Sequence, residues 1–231
     1  MSDLLIKLWQ NGILQLGIWE TIYMTLISTF FAYLIGLPVG LILRMTDRDG
    51  IHPIGWLNRT LGIIVNALRS IPFIILMVAM LPVAKFVVGT SLGNRAVIVT
   101  LIIAAAPYVA RMVESAAKEV DAGVIEAAQS MGASTLRIIW KVIIPEIKPG
   151  IVSGALTAFT MSIDDFVISY FTAGSSSSTL AMTIYGMTKK KVTPEINAIS
   201  TLLFVTVLVL LAVINVREAR QERKLAAEQR R

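Results

Sequence analysis

A stretch of 23 residues, Thr21 to Leu43, contains no charged side chain and constrains the fold more than any other feature of the sequence. About 20 mostly apolar residues in a helix are enough to cross the hydrocarbon core of a bilayer. Four further apolar segments have similar lengths, at about residues 60–84, 96–115, 149–171 and 196–216. Because 55% of all residues are hydrophobic and only 16% are charged, the composition is poorly suited to a soluble domain. The sequence therefore predicts an all-α membrane protein with about five transmembrane helices.

The distribution of Lys and Arg between the apolar segments predicts the orientation of the chain in the membrane. The connection after the first span carries three of these residues, the end of the third span and the connection that follows it carry five, and the C-terminal tail carries six. The opposite side carries six in all, including the run Lys189 to Lys191. This excess predicts a cytoplasmic C-terminus and an external N-terminus. We expect residues 1–216 to form the transmembrane domain and residues 217–231 to form a charged cytoplasmic tail that continues the last helix.

The sequence offers little for catalysis or metal binding. It has no cysteine and a single histidine, His52, in the loop after the first span, so neither a thiolate nor a His-based metal site is predicted. It has no Gly-x-x-x-x-Gly-Lys-Ser/Thr loop for nucleotide phosphates. The net charge of +6 lies in short clusters beside the apolar segments, which is typical of contact with anionic lipid rather than nucleic acid. We therefore expect a chain that is not an enzyme and binds no cofactor or metal of its own.

Residues 121–145, between the third and fourth spans, have the pattern of a cytoplasmic helix-turn-helix. Asp121 is a suitable N-cap for the first helix. Gly132 can adopt the left-handed conformation that ends this helix. Pro145 is predicted to end the second helix or to kink it before the membrane.

The second helix of this segment is predicted to be amphipathic. Leu136, Ile139, Trp140 and Ile143 follow the spacing i, i+3, i+4 and i+7, which places them on one face of an α-helix. Periodicity leaves two interpretations open. The helix lies on the lipid surface, or its apolar face docks into a groove on a soluble partner.

The segment resembles the EAA loop of ATP-binding-cassette (ABC) importer permeases at six positions, Glu126, Ala127, Ala128, Gly132, Ile144 and Pro145. The resemblance implies a type I importer transmembrane domain in a bacterial cytoplasmic membrane, with a coupling helix that inserts into a separate ATP-binding subunit. Glu126 would contact that subunit, and Gly132 would set the angle between the two helices. The resemblance also implies ATP and Mg²⁺ on a partner ATPase dimer, a second permease copy and an extracytoplasmic substrate-binding protein.

Two further resemblances point to different transported solutes. Residues from about 17 to 154 are similar to methionine-importer permeases, in stretches that include 64–76 and 104–111. That family has five helices in each chain and a homodimeric permease. Segments 158–171 and 192–203 instead resemble spermidine/putrescine permeases of the same superfamily. The chain is therefore predicted to import methionine or a related amino acid, with a polyamine as the alternative solute and a heterodimer as the corresponding alternative assembly.

Four residues inside the apolar segments are candidates for the transport pathway or its gate: Arg69, Pro72, Asp164 and Asp165. Charges inside a bilayer are costly and either mark a pathway or pair with one another. Arg69 either reaches the headgroups or makes a contact at a kink formed by Pro72. Adjacent helical residues point about 100° apart, so at most one of the two aspartates is expected to meet the solute. The aspartates would also suit an ion-driven transporter, but such proteins usually contain inverted repeats, and none is visible here.

Overall fold

The structure is a computed structural model that describes residues 12–163, 170–172, 179–189 and 194–228, and the regular structure in these residues is helical throughout. In chain order the elements are α1 (Ile13–Thr46), α2 (Gly55–Ser70), α3 (Phe73–Val88), α4 (Asn94–Lys118), α5 (Ala122–Ser130), α6 (Thr135–Ile138), a π-helical turn (Ile139–Ile143), α7 (Ile144–Ile163), α8 (Leu180–Thr188) and α9 (Pro194–Glu228). Four stretches within the described residues are long and apolar enough to cross a membrane, at 15–46, 94–118, 135–160 and 196–216. Taken together, helices α2 and α3 are also long and apolar enough to form one span, which would be the fifth and is bent.

The predicted second span, residues 60–84, is not one continuous helix. Helices α2 and α3 meet at an angle of 115° across Ile71 and Pro72. A proline disfavours the helical conformation of the residue before it, and Ile71 is accordingly extended, with φ −69° and ψ 128°. Its N–H still donates to the carbonyl of Ala67 and closes α2, while the carbonyl of Pro72 starts α3 by accepting from Leu76. Pro72 therefore causes a break rather than a gentle kink.

The core of the bundle is formed where α1 packs closely against α4. Gly36 and Gly40, four residues apart on α1, face Val109 and Val113 of α4. Small residues at this spacing let two helix backbones approach each other inside a membrane, where packing rather than the hydrophobic effect holds helices together. Ala32 and Leu41 continue the same buried cluster along α1.

The fourth span begins earlier than its sequence predicts. Helix α6, the π turn and α7 form one helical stretch from Thr135 to Ile163, so Pro145 does not end the helix and no separate helix begins near Pro149. Within this stretch the N–H of Ile144 donates to the carbonyl of Ile139, five residues earlier. The wider turn lies directly before Pro145, whose ring would crowd a carbonyl in a regular α-helix. The second helix of the predicted helix-turn-helix therefore continues directly into the fourth span.

The bundle has two distinguishable ends. At one end the start of α1 meets α8, where the N–H of Leu180 donates to the Thr21 hydroxyl at 3.0 Å, and Gly93, just before α4, donates to the carbonyl of Thr172 at 2.7 Å. At the other end, α1 and α4 finish beside α5 and α6. Helix α9 continues without interruption past Val216 to Glu228, as the composition of the tail predicts.

An ion pair joins the last residue of α4 to Asp47, which lies just beyond α1 and outside the membrane spans. The Lys118 ammonium lies 2.9 Å from Asp47 Oδ2, and the N–H of Arg48 donates to the same carboxylate at 2.8 Å. These two contacts, the lysine first, hold the pKa of Asp47 below its usual value. Because this pKa is lower in the folded than in the unfolded protein, the stabilisation is present above about pH 4 and is lost as the pH falls through the folded pKa.

Asp47→Asn should therefore lower the free energy of unfolding by about 0.2–1 kcal/mol at neutral pH, the range for exposed ion pairs. The measurement is thermal unfolding of the detergent-solubilised protein at pH 7 and at decreasing pH, where the wild type and the variant should converge. Asp49→Asn is the matched control, because Asp49 offers its main-chain carbonyl to Arg44. Equal melting temperatures of wild type and Asp47→Asn at pH 7 would contradict the assignment.

Candidate functional site

Helix α5, the turn after it and α6 with the π turn form the predicted helix-turn-helix, here called the helix pair (residues 121–145). The Asp121 carboxylate accepts a hydrogen bond from the N–H of Gly123 at 2.6 Å, which confirms the predicted N-cap. Gly132 has φ +76°, as its predicted role in ending α5 requires. The N–H of Gly132 donates to the carbonyl of Gln129, and that of Ala133 to the carbonyl of Ala128. This pair of bonds is a Schellman motif, which favours glycine at its left-handed position.

The inner face of the helix pair packs against the end of α4. Five residues of the helix pair are buried in one apolar cluster with Val113, Ala117 and Val120. These five are Ile125, Ala128, Ile138, Ile139 and Ile143. Burial of this many aliphatic side chains in a single cluster fixes the helix pair to α4 and to the start of α7. The pair and these helix ends should therefore move as one body.

The predicted apolar face of the second helix is divided in the structure. Ile139 and Ile143 are buried, whereas Leu136 and Trp140 are 69% and 66% exposed. The π turn from Ile139 to Ile143 holds one extra residue, so the positions after it are rotated relative to a regular α-helix. Ile138 and Ile143, five residues apart, consequently share the buried face.

Large apolar side chains lie on the outside of the helix pair. Leu136 and Trp140 are joined there by the exposed side chains of Val124 and Met131. Glu126 and Ala127 are also exposed. Exposed apolar groups beside a charged residue are typical of a surface that binds a protein or a membrane.

The six predicted coupling positions therefore fall into two groups. Glu126, Ala127 and Pro145 lie on the exposed surface of the helix pair, together with the turn residue Gly132. Ala128 is buried in the cluster against α4, and Ile144 packs against the same cluster.

A cleft of about 530 Å³, including its open mouth, lies between the helix pair and the loop that follows α1. Glu126 and Gln129 line it from α5, and Arg44, Asp49 and Ile51 line it from the end of α1 and the loop. Glu126 thus lines the cleft and is also exposed on the outer surface of α5.

His52 belongs to this region, although its sequence position suggests no partner. Its Nε2 lies 2.6 Å from the hydroxyl of Thr135, the first residue of α6. The contact joins the loop after α1 to the helix pair across 83 residues of chain. No periodicity or motif links positions so far apart, so only the folded chain reveals the pairing.

The predicted pathway residues are only partly within the described structure. Arg69 is exposed in the last turn of α2, three residues before the break at Pro72. Asp164 and Asp165 lie outside the described residues. The predictions from the sequence did not identify Glu20 as a buried carboxylate. Glu20 is 8% exposed and accepts a hydrogen bond from Asn94 Nδ2 at 3.3 Å. The sequence feature that could have indicated this burial is the position of Glu20 directly before the uncharged run of the first span.

Lys189, at the end of α8, lies against two aromatic rings. Its Nζ is 3.1 Å from the hydroxyl of Tyr170 and 4.9 Å from the ring centre of Tyr185. The hydrogen bond to Tyr170, followed by the contact with Tyr185, raises the pKa of the ammonium. The residue that begins the basic run opposing the predicted orientation therefore stays charged and is held by local contacts.

Comparison with protein families decides the class of this chain. Residues 36–226 match the model of the binding-protein-dependent transport system inner membrane component. The chain belongs to this family. It is therefore a multi-pass inner-membrane transport component, and its predicted permease class is confirmed.

Relatives within the family share much of the sequence. The D-methionine transport system permease protein MetI of Salmonella typhimurium is 49% identical over 146 residues, which is 63% of this chain and 67% of the relative. The same protein of Escherichia coli strain K12 matches to the same extent. The probable D-methionine permease MetI of Pasteurella multocida is 35% identical over 204 residues, 88% of this chain and 92% of the relative.

Solved structures confirm the predicted type I importer fold. Inward-facing structures of the MetNI methionine ABC transporter include a chain that is 37% identical, with a TM-score of 0.80. The match covers 90% of this chain and 97% of the other. A chain of an amino acid ABC transporter, 20% identical with a TM-score of 0.70, shares the fold.

Proposed function

We propose that this chain is the permease of an ATP-driven importer of methionine or a related amino acid. The observation that carries the proposal is the 49% identity over 146 residues to D-methionine permeases. Structural similarity to a chain of the MetNI transporter over 90% of this chain supports it. Membership in a binding-protein-dependent family also favours this function over an ion-driven transporter.

The proposed importer contains two permease copies, two ATP-binding subunits and an external binding protein that delivers the solute. ATP and Mg²⁺ are bound by the ATP-binding subunits and not by this chain. The helix pair faces the cytoplasm, so the start of α1 and helix α8 face outward. This orientation agrees with the excess of Lys and Arg on the side of the helix pair and the tail.

In the proposed mechanism, the helix pair is the element on which the ATP-binding subunit acts. Trp140 and Leu136 supply exposed apolar area, and Glu126 supplies a charge at the edge of the cleft. Closure of the two ATP-binding subunits displaces the helix pair, and the shared apolar cluster carries that displacement into α4 and α7. Movement of packed helices as a body is a common route between two transporter states.

A polyamine remains the second candidate solute because two segments, 158–171 and 192–203, resemble polyamine permeases. A polyamine is a polycation, and Asp164 or Asp165 would offer it a carboxylate inside the membrane. A polyamine permease would also fit a heterodimer with a second permease. The solute therefore distinguishes the two candidates more directly than the assembly does.

The test is co-expression of this chain with a methionine-type ATP-binding subunit and, in parallel, with a polyamine-type one. Stable co-elution with the methionine-type subunit is expected, followed by ATP-dependent uptake of labelled methionine in proteoliposomes supplied with the binding protein. Co-elution with the polyamine-type subunit and uptake of spermidine would replace methionine with the alternative. Failure of well-folded protein to bind either subunit would overturn the proposed ATP-driven mechanism.

A further inference from the structure

The guanidinium of Arg111, near the end of α4, bridges to helix α2. Its Nη2 and Nε donate to Asn66 Oδ1 at 2.9 and 3.2 Å, and Nη2 also approaches the carbonyl of Gly62 at 3.4 Å. On its own helix, Nη1 donates to Glu114 Oε2 at 2.5 Å. We call the contacts of Arg111 with Asn66 and Gly62 the α2–α4 clamp.

The clamp belongs to a chain of polar contacts at the end of α4. Glu114 is buried, and besides Arg111 it pairs with Lys118 at 3.0 Å. Lys118 in turn reaches Asp47, just beyond α1. One buried carboxylate therefore orients both basic side chains, one toward α2 and the other toward α1.

Helix α2 has few other anchors. Val65 is the one fully buried residue among the sixteen residues of α2, all of which are described, and it packs against Leu43 and Ala110. Ile63 and Ile64 are exposed. The start of α2 is held to α1, since Asn58 Nδ2 donates to the carbonyl of Leu43 at 2.6 Å. Toward the other end of α2, the clamp supplies a polar contact with α4.

The clamp lies between the helix pair and the break in the second span. On one side, Val113 and Ala117 of α4 share the apolar cluster with the helix pair, so Arg111 is attached to the body that the ATP-binding subunit would move. On the other side, Asn66 is five residues before Ile71, where α2 ends and the 115° bend begins. A shift of the end of α4 thus reaches the bend through Arg111 and Asn66.

We propose that Arg111 is a positioning residue that transmits displacement of the helix pair and α4 to α2 and to the break at Pro72. The proposal rests on the proposed function, because the displacement comes from the ATP-binding subunit. The planar guanidinium suits this task, since several of its donors are fixed in one plane and hold a distance and a direction together. An ammonium at the same position lacks this geometry.

Charge neutralisation does not explain the contact with Asn66. Glu114 already pairs with the guanidinium at 2.5 Å and is more buried than Arg111. The amide of Asn66 adds an acceptor without adding charge. Replacement of Asn66 therefore leaves no unpaired charge in the membrane, which makes this residue the cleaner site for a test than Arg111.

The experiment uses the full complex with its ATP-binding subunits and binding protein in proteoliposomes. Asn66→Ala should co-elute with the ATP-binding subunit and keep its basal ATPase rate, while solute uptake per ATP hydrolysed falls roughly 2- to 30-fold, the range that single mutations along a coupling network produce. Arg111→Lys should show the same uncoupling. Asn66→Asp, which keeps an acceptor at the same place, should restore most of the uptake.

Thr60→Ala is the matched control on α2, because the Thr60 hydroxyl donates within the helix to the carbonyl of Trp56. It should leave the ratio of uptake to ATP hydrolysis unchanged. An unchanged ratio in Asn66→Ala, or a loss of co-elution together with uptake, would show that the clamp is merely structural. If the wild type itself neither binds an ATP-binding subunit nor transports, the proposed function fails instead.

Discussion

Gly40→Val should markedly destabilise the protein in detergent, and Gly36→Val should do the same. A Cβ at Gly36 would lie 2.7 Å from both the carbonyl oxygen of Ala106 and Val109 Cβ. A Cβ at Gly40 would overlap the carbonyl oxygen of Ala110 and lie 2.8 Å from Val113 Cβ. Backbone atoms cannot rotate away as a flexible side chain can, so α1 and α4 would have to separate.

The expected cost is large because this contact forms the main core of the bundle. Overpacking one well-packed site costs about 1–3 kcal/mol and occasionally more. Here the separation would also loosen the contact of Ala32 and Leu41 with the cluster. The two substitutions combined in one chain should therefore remove a large part of a total stability that is typically only about 5–15 kcal/mol.

Size-exclusion chromatography and thermal unfolding of purified protein measure the effect. Gly186→Ala is the control, because a Cβ at this position in α8 would meet nothing within 4 Å. It should elute as the wild type does and unfold at an equal or slightly higher temperature, since alanine is favoured over glycine in a helix. Monodisperse Gly40→Val with an unchanged melting temperature would contradict the close packing of α1 on α4.

The parts of this fold that follow from the sequence are those governed by local chemistry. Apolar length is sufficient to place the first, third and last spans, because a bilayer requires a helix of about 20 residues whatever its neighbours are. Asp121 and Gly132 are predictable for a similar reason, since capping and the left-handed conformation depend on a few adjacent residues.

The parts that do not follow depend on the geometry of helices relative to one another. Pro72 is visible in the sequence, but no neighbouring residue indicates that the chain turns by 115° between α2 and α3 instead of bending slightly. The predicted apolar face assumes 3.6 residues in each turn throughout, and the π turn from Ile139 to Ile143 departs from that spacing. Pairings such as His52 with Thr135, or Arg111 with Asn66, join residues 83 and 45 positions apart.

Trp140→Ala should greatly weaken binding of the ATP-binding subunit while leaving the permease folded. The Trp140 side chain is 66% exposed, so its removal should not create a cavity in the core. Tryptophan is enriched among interface residues whose truncation costs at least about 2 kcal/mol, which corresponds to roughly a 30-fold loss of affinity. Glu126→Lys should act in the same direction by reversing a charge on the same outer surface.

The amount of ATP-binding subunit that co-elutes with affinity-tagged permease measures this effect. Trp56→Ala is the matched control, since Trp56 is also highly exposed, at 73%, but lies in the first turn of α2. It should retain the subunit.

The comparison of Trp140→Ala with Trp56→Ala also decides between the two interpretations of the amphipathic helix. If Trp140 rests on lipid, its removal leaves co-elution intact and weakens only contact with the bilayer, and the helix pair would then need another surface to receive the ATP-binding subunit.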